Sequence, residues 1–173
     1  MATRRRGGWA DVLPVPGILP ALVLVAFVAG AAAQDAGCPR WRKAFAAMPV
    51  RMISVEQGPR TVMLRVKTAE TSEQHAGGFQ CATPEEIQRY LILFDFGGET
   101  HTQFHMQNVP AALDIAFIKA DGRIFAILRM DPSPTALYGP MGPFRWALEA
   151  RAGFFESQGI RQGRARLVPP PAP

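Results

Sequence analysis

The stretch FHMQNVPAALDIAFIKADGRIFAILRM, from Phe104 to Met130, decides the fold that we expect for this chain. Its runs LDIAFIK and RIFAILRM flank Asp121-Gly122, a pair that supplies the positive φ of a tight hairpin turn. The preceding segment HTQFHMQN predicts a further strand, which Pro110 interrupts because proline cannot donate to a sheet ladder. The stretch therefore predicts antiparallel strands.

The rest of the chain extends this pattern. RTVMLRVKTA alternates apolar and polar residues, and Tyr90–Phe96, Phe144–Glu149 and RARLV also favour strands. Short helices are predicted in PRWRKAFAAMPV and after Thr83-Pro84, and single helical turns after Thr71 or Ser72 and before Gly159. A long loop covers 131–143. The sequence predicts a mainly β fold, a compact antiparallel sandwich or barrel with one to three short helices.

Composition limits the number of domains and the partners. The 173 residues, 48% hydrophobic and 19% charged, fit one globular domain. The net charge is +5, but the basic residues are scattered without aromatic interleaving, which is a poor match to a nucleic-acid-binding surface. We therefore expect no nucleic-acid partner.

The amino terminus has the parts of a secretory signal peptide. Arg4, Arg5 and Arg6 precede ILPALVLVAFVAGAAA, and we predict cleavage after Ala33. An uncleaved anchor is the alternative, but the run is shorter than the roughly 20 apolar residues that span a bilayer. TRRRGGW also resembles a twin-arginine signal without its usual apolar pair. We expect a periplasmic or secreted protein with no stable membrane span after cleavage.

Cys38 and Cys81 are the two cysteines of the chain. In an oxidising compartment they predict a disulfide, which would close a loop of about 40 residues and stabilise the fold by about 3–4 kcal/mol. Two alternatives stay open. Cys38 could be lipidated, although Asp35 stands where a lipobox has Leu, or both thiols could be reduced.

Few residue patterns point to chemistry. His101 and His105 have metal spacing on a helix, but a strand separates them by about 13 Å, so no metal site is predicted. No phosphate or dinucleotide loop is present, and we predict no cofactor. Asp114 and Glu149 each interrupt an apolar run. They could act as an acid–base pair, or they could be structural acids held by backbone amides or arginine.

Several segments together resemble the domain-of-unknown-function 192 family, from about Val62 to Leu167. FHMQNVPAALDIAFIKADGRI is similar to that family's Phe-Trp-Met-Lys-Asn-Thr-x-x-Pro-Leu-Asp-x-x-Phe-Ile-x-x-Asp-Gly-x-Ile core. TSEQHAGGFQ, LILFDF, ALEARAG and GIRQG resemble its other motifs in order. His105 and Gln107 replace Trp and Lys, Pro110 lies two residues early, and Arg164 replaces Asp. The resemblance implies a small, often exported, jelly-roll-like β domain with no agreed activity.

We therefore predict a signal peptide (1–33), an N-terminal extension with a short helix (34–60), one β domain of this family (61–168) and a disordered proline-rich tail (169–173). The expected role is a non-enzymatic structural, accessory or ligand-binding module of the cell envelope, with a glycan or another envelope component as partner. The candidate pocket residues are Phe104, His105, Met106, Asn108, Asp114, Trp146 and Glu149.

Two other functions remain open at this point. One is an envelope glycan hydrolase that uses Asp114 and Glu149 as acid and base. The other is a purely structural role, in which Asn108 bonds its own backbone to fix the turn near Pro110, and Asp114 accepts amide hydrogen bonds from a crossing loop.

Overall fold

The computed structural model describes residues 37–168, which form four short helices and nine strands. The helices are α1 (Cys38–Ala47), α2 (Ser72–Gly77), α3 (Pro84–Arg89) and α4 (Phe154–Ser157). The strands are β1 (Val50–Gln57), β2 (Arg60–Ala69), β3 (Ile92–Thr100), β4 (Phe104–His105), β5 (Leu113–Ile118), β6 (Ile124–Met130), β7 (Leu137–Tyr138), β8 (Phe144–Arg151) and β9 (Arg166–Val168). The predicted mainly β fold is confirmed.

Local side-chain chemistry sets several element boundaries. Thr71 caps α2 and Thr83 caps α3, and each helix has a complete capping box, with Gln74 and Glu86 as the returning side chains. The predicted hairpin also forms, with Gly122 at φ +87°. A Cβ at Gly122 would lie 2.4 Å from a backbone oxygen of β9, so this turn requires glycine. These local predictions are confirmed.

Seven strands form one sheet in the order β6-β5-β8-β3-β2-β1-β9, and β4 pairs with β7 in a second, two-stranded sheet. Every pair in the large sheet is antiparallel except β2 with β3, which run parallel. A parallel pair needs a crossover connection. The segment with α2 and α3 supplies it, so the helices that we predicted as small insertions determine the strand order.

Two segments differ from their sequence predictions. Val50–Gln57, which we placed in an N-terminal extension, is a strand paired with β2 along its whole length. The strand predicted in HTQFHMQN is shortened to Phe104–His105. The chain leaves the extended conformation at Asn108, where φ is +56°. The short strand instead pairs with β7, from inside the predicted long loop.

The two edges of the large sheet meet. Arg123 and Arg166 form an antiparallel bridge, and Leu167 N–H donates to the Gly122 carbonyl at 2.8 Å. The sheet therefore curls, without a continuous closing ladder, around an inner core that includes Ile53, Val66, Leu93, Ile118, Trp146 and Leu148. Its outer face packs against α1, α2, α3 and the β4–β7 segment through a second core that includes Phe45, Phe79, Ile92, Phe94, Phe104, Ile115 and Phe117. The fourth helix, α4, adds Phe155 to the inner core.

The predicted disulfide is present. Cys38 and Cys81 are bonded, with their Cα atoms 5.5 Å apart and 43 positions apart in sequence. The bond ties α1 to the turn before α3, on the outer face. None of the helices in residues 37–168 has the length and apolar character needed to cross a bilayer. The predicted signal peptide and proline-rich tail lie outside the described residues.

Candidate functional site

A cavity of about 340 Å³ opens on the outer face of the sheet, between α2, β3 and β4. Its mouth is formed by exposed polar side chains: Ser72, Thr102, Gln103 and His105. Its interior is formed by buried residues: Gly78, Phe79, Gln80, Phe94, Phe104, Val109 and Glu149. The cavity therefore combines a polar entrance with a mostly apolar interior, which is the usual composition of a small-molecule site.

Glu149 is the acidic group of this cavity. It lies in β8, opposite Ile92 of β3 and Ile115 of β5, and only 4% of the residue is exposed. No side chain or backbone group in residues 37–168 makes a hydrogen bond or ion pair with its carboxyl group. Burial raises the pKa of Glu149 to about 8. At neutral pH the group is therefore mostly a neutral acid, which can both donate and accept a hydrogen bond.

Gly78 leaves room above this carboxyl group. Its backbone has φ +47° and ψ −128°, a conformation that residues with a Cβ rarely adopt. A Cβ at this position would lie 3.3 Å from Cζ of Phe94 and 3.5 Å from Oε2 of Glu149. The glycine at the end of α2 therefore keeps the innermost part of the cavity open.

His75 forms part of the wall. Its Nε2 lies 2.9 Å from the Ala69 carbonyl oxygen and 3.0 Å from that of Asp95. Because carbonyl oxygens only accept, Nε2 must carry a proton and donate to them. The imidazole ring also lies against Phe96, with ring centroids 4.6 Å apart. These contacts fix the ring to β2 and β3, so Nε2 cannot serve as a free base.

Three phenylalanine rings complete the wall. Phe94 and Phe96 are nearly parallel, at 14°, with centroids 6.5 Å apart. Phe104 stands almost perpendicular to both, at 86° and 84°. Such edge-to-face packing is favourable for aromatic rings and fixes their orientation. The cavity therefore has rigid aromatic walls around one carboxyl group.

The structure brings together only some of the residues that the sequence suggested. Phe104, His105 and Glu149 line this cavity. Met106 and Asn108 line a separate cleft beside the disulfide. Trp146 is buried in the inner core, on the opposite face of the sheet.

Asp114 also lies away from the cavity. In the β5–β8 register, Asp114 is opposite Ala150 whereas Ile115 is opposite Glu149, so the two acids project from opposite faces of the sheet. Asp114 accepts a hydrogen bond from Arg129 Nε at 2.6 Å and another from the Gly153 N–H at 2.7 Å. The acid–base pair that we considered from the sequence is therefore not formed, and Asp114 fastens β5 to β6 and to the turn after β8.

The structural interpretation had the Asn108 side chain bond its own backbone, but the turn is held through contacts with Gln80 and Cys81 instead. The Asn108 carbonyl oxygen accepts a hydrogen bond from the Cys81 N–H at 2.8 Å, and both residues have positive φ. Its side-chain amide lies 3.5 Å from Oε1 of Gln80, a residue of the cavity wall. Asn108 therefore contacts the cavity wall from outside the cavity, through Gln80.

The sequence analysis missed most of the wall, including His75, Gly78, Gln80, Phe94 and Phe96. The one available signal was Gly77-Gly78 directly after a capped helical turn, which we interpreted only as a helix end. Within residues 37–168, no three His, Cys, Asp or Glu side chains are grouped closely enough to hold a metal ion.

Comparison with known proteins gives a family and a fold. Residues 53–166 match the sequence model of DUF192, described as an uncharacterized ACR family. A search of curated proteins found no match.

Two solved structures are similar to the chain. A protein of Sinorhizobium meliloti 1021, whose name suggests a transcription regulator, is 26% identical with a TM-score of 0.62, covering 70% of this chain and 94% of its own. A protein of unknown function from Novosphingobium aromaticivorans DSM 12444 is 24% identical with a TM-score of 0.62, covering 72% and 95%. At 24% identity, the similarity to the Novosphingobium protein shows a shared fold alone.

Proposed function

Because the chain belongs to the DUF192 family of uncharacterised domains, we propose from its own site that it is a non-catalytic ligand-binding module of the cell envelope. The observation that carries the proposal is the Glu149 carboxyl group, which is buried beside a cavity and has no hydrogen-bond partner among residues 37–168. Its oxygens are not among the fully enclosed side-chain atoms without a partner, so they face the open cavity, where a ligand can reach them. A ligand in the cavity would supply the missing partner.

The location in the envelope has separate support. The Cys38–Cys81 disulfide suits an oxidising compartment, and the predicted signal peptide at 1–33 would direct the chain there. Glycans and other envelope components are therefore the first ligands to test. The polar side chains at the mouth and the phenyl rings inside could hold a single sugar-sized ring.

A binding role agrees better with the site than catalysis does. Glu149 has no second carboxylate beside it, because Asp114 projects from the opposite face, and His75 Nε2 is already bonded to two carbonyl oxygens. A general acid needs a base or nucleophile placed near the same bond.

A role in transcription regulation, which the name of the Sinorhizobium protein suggests for that protein, has less support here if it requires contacts to nucleic-acid phosphates. Five arginines lie within ion-pair distance of carboxylates: Arg40 of Glu73, Arg42 of Glu86, Arg51 of Glu70, Arg129 of Asp114, and Arg145 of Asp95. The remaining basic residues are scattered along the sequence without the aromatic interleaving that is typical of a nucleic-acid-binding surface.

A thermal-shift screen of envelope sugars and divalent metal salts tests the proposal. A binding ligand raises the melting temperature because it stabilises the folded state alone. We expect Ala76→Trp, at an exposed position lining the cavity, to abolish any shift. Gln88→Trp, on the exposed side of α3, is the matched control and should preserve it. A shift that survives Ala76→Trp would place the binding elsewhere and refute the proposal.

A further inference from the structure

The charges around the cavity restrict the kind of ligand that can enter. Among the described residues that line it, Glu149 is the one acid, His75 and His105 are the basic side chains, and Lys and Arg are absent. An anionic ligand would bring its charge towards a buried carboxyl group without a cationic partner in the wall. Burial without such a partner is costly, so the site disfavours phosphates and carboxylates.

The aromatic walls favour the opposite charge. The face of a phenyl ring carries partial negative charge and attracts cations, most strongly where water is excluded. Phe94, Phe96 and Phe104 line the same cavity as the Glu149 carboxyl group, with Phe104 perpendicular to the other two. One carboxyl group and three aromatic rings together suit a small molecule that carries one positive charge and is otherwise apolar.

The same geometry argues against a bare metal ion. Divalent cations such as Ca²⁺ take six to eight oxygen ligands, whereas this cavity offers one carboxyl group and apolar walls. An organic ammonium ion needs fewer protein oxygens, and its carbon body can contact the phenyl rings. The exposed side chains at the mouth, Thr102 and Gln103, can hydrogen-bond to its outer end.

We propose that the ligand of this cavity is a compact organic cation, with its ammonium group on Glu149 and its body against Phe94, Phe96 and Phe104. This inference rests on the proposed binding function and narrows it to one chemical class. An amino-bearing sugar belongs to this class, and a neutral sugar does not.

Binding of such a cation has a proton balance. The free protein holds a proton on Glu149 at neutral pH, and the ammonium ion pairs with the carboxylate, so binding releases that proton to the solvent. The other titratable groups facing the cavity are His75 from α2 and His105 from β4. Asp95 of β3 lies opposite Trp146 in the register and therefore projects from the other face.

Three ring compounds of the same size and different charge test the proposal: cyclohexylammonium, cyclohexanol and cyclohexanecarboxylate. Calorimetry on the full chain with its disulfide intact should show that the cation binds at least about tenfold more tightly than the alcohol and that the carboxylate does not bind. Between about pH 5.5 and pH 7 the cation's affinity should rise about tenfold per pH unit, because binding releases one proton and the proton concentration in solution falls tenfold per unit. Titrations in buffers of different ionisation enthalpy should show close to one proton released near pH 6.5.

Glu149→Gln keeps the size of the side chain but cannot pair with a cation, so both the preference for the cation and the pH dependence should disappear. Glu56→Gln makes the same substitution at an exposed position and should change neither. Circular dichroism confirms that each variant is folded. If cyclohexanol and cyclohexylammonium bind equally well, the proposed binding function stands and the preference for a cation is refuted. If the pH dependence of binding persists in Glu149→Gln, the titrating groups are the histidines, and the proposal is refuted. If none of the three compounds binds, both proposals fail.

Discussion

Replacing Glu149 by glutamine should stabilise the protein at alkaline pH and have little effect at acid pH. The pKa of Glu149 is raised from 4.5 to about 8 by burial, so its folded-state pKa lies above its unfolded value. Below about pH 4.5 the carboxyl group is protonated in both states. Between these two values unfolding releases a proton, so stability falls as pH rises, and above about pH 8 the loss is complete.

The size of the effect follows from the same two values. Each pH unit between them costs about 1.36 kcal/mol, so the wild-type protein should lose about 4–5 kcal/mol relative to Glu149→Gln on going from pH 4 to pH 9. The residue is 4% exposed, so little of this is lost to solvent screening. For a domain of this size the loss corresponds to a difference of more than about 10 °C in melting temperature at alkaline pH.

Urea denaturation of both proteins across this pH range gives the difference directly. Taking the difference between two proteins cancels the titration of the groups that they share, and Glu56→Gln, which removes an exposed carboxylate, should follow the wild type. If the Glu149→Gln and wild-type curves stay parallel from pH 4 to pH 9, the carboxyl group is not buried as a neutral acid, and the account of the cavity is wrong.

Three further predictions concern stability. Asp114→Ala should lower the free energy of unfolding by about 1–3 kcal/mol, because the partly buried Gly153 N–H loses its acceptor, while the half-exposed Arg129 regains water. A melting temperature within a degree of wild type would contradict this. Gly78→Ala should lower the free energy of unfolding by about 1–3 kcal/mol, because alanine is strained at positive φ and crowds the cavity. The control Gly98→Ala, where a Cβ would have nothing within 4 Å, should lower it by less than about 0.5 kcal/mol. Equal losses for the two variants in urea denaturation would refute the role of Gly78. Reducing the Cys38–Cys81 disulfide should lower stability by about 3–4 kcal/mol, and unchanged denaturation with and without reductant would refute this.

Elements that depend on neighbouring residues could be predicted from the sequence. The caps at Thr71 and Thr83 and the turn at Gly122 form as expected, because their chemistry lies within a few residues. The strand Val50–Gln57 was missed because its apolar residues alternate weakly and two of them, Val50 and Met52, are exposed. Its place in the sheet comes from pairing with β2 and β9.

The candidate site depends on long-range register, which no local pattern contains. Asp114 and Glu149 looked equivalent in sequence, since each interrupts an apolar run. The β5–β8 register places one on each face of the sheet. The wall residues His75 and Phe96 come together only because β2 and β3 are joined through the helical crossover.

The pairing of β9 with β1 and its bridge to Arg123 also constrain the order in which the protein can fold. Ser54 lies opposite Val168, so strands from the two ends of the described chain must meet before the sheet is complete. Contacts of such long sequence separation slow folding, because the loop between them must close first. The hairpin of β5 and β6 can form early from its own residues, but the inner core stays open on one side until β9 arrives. A chain shortened by its last ten residues would lack β9 and would leave β1 as an unpaired edge, the kind of strand on which chains aggregate.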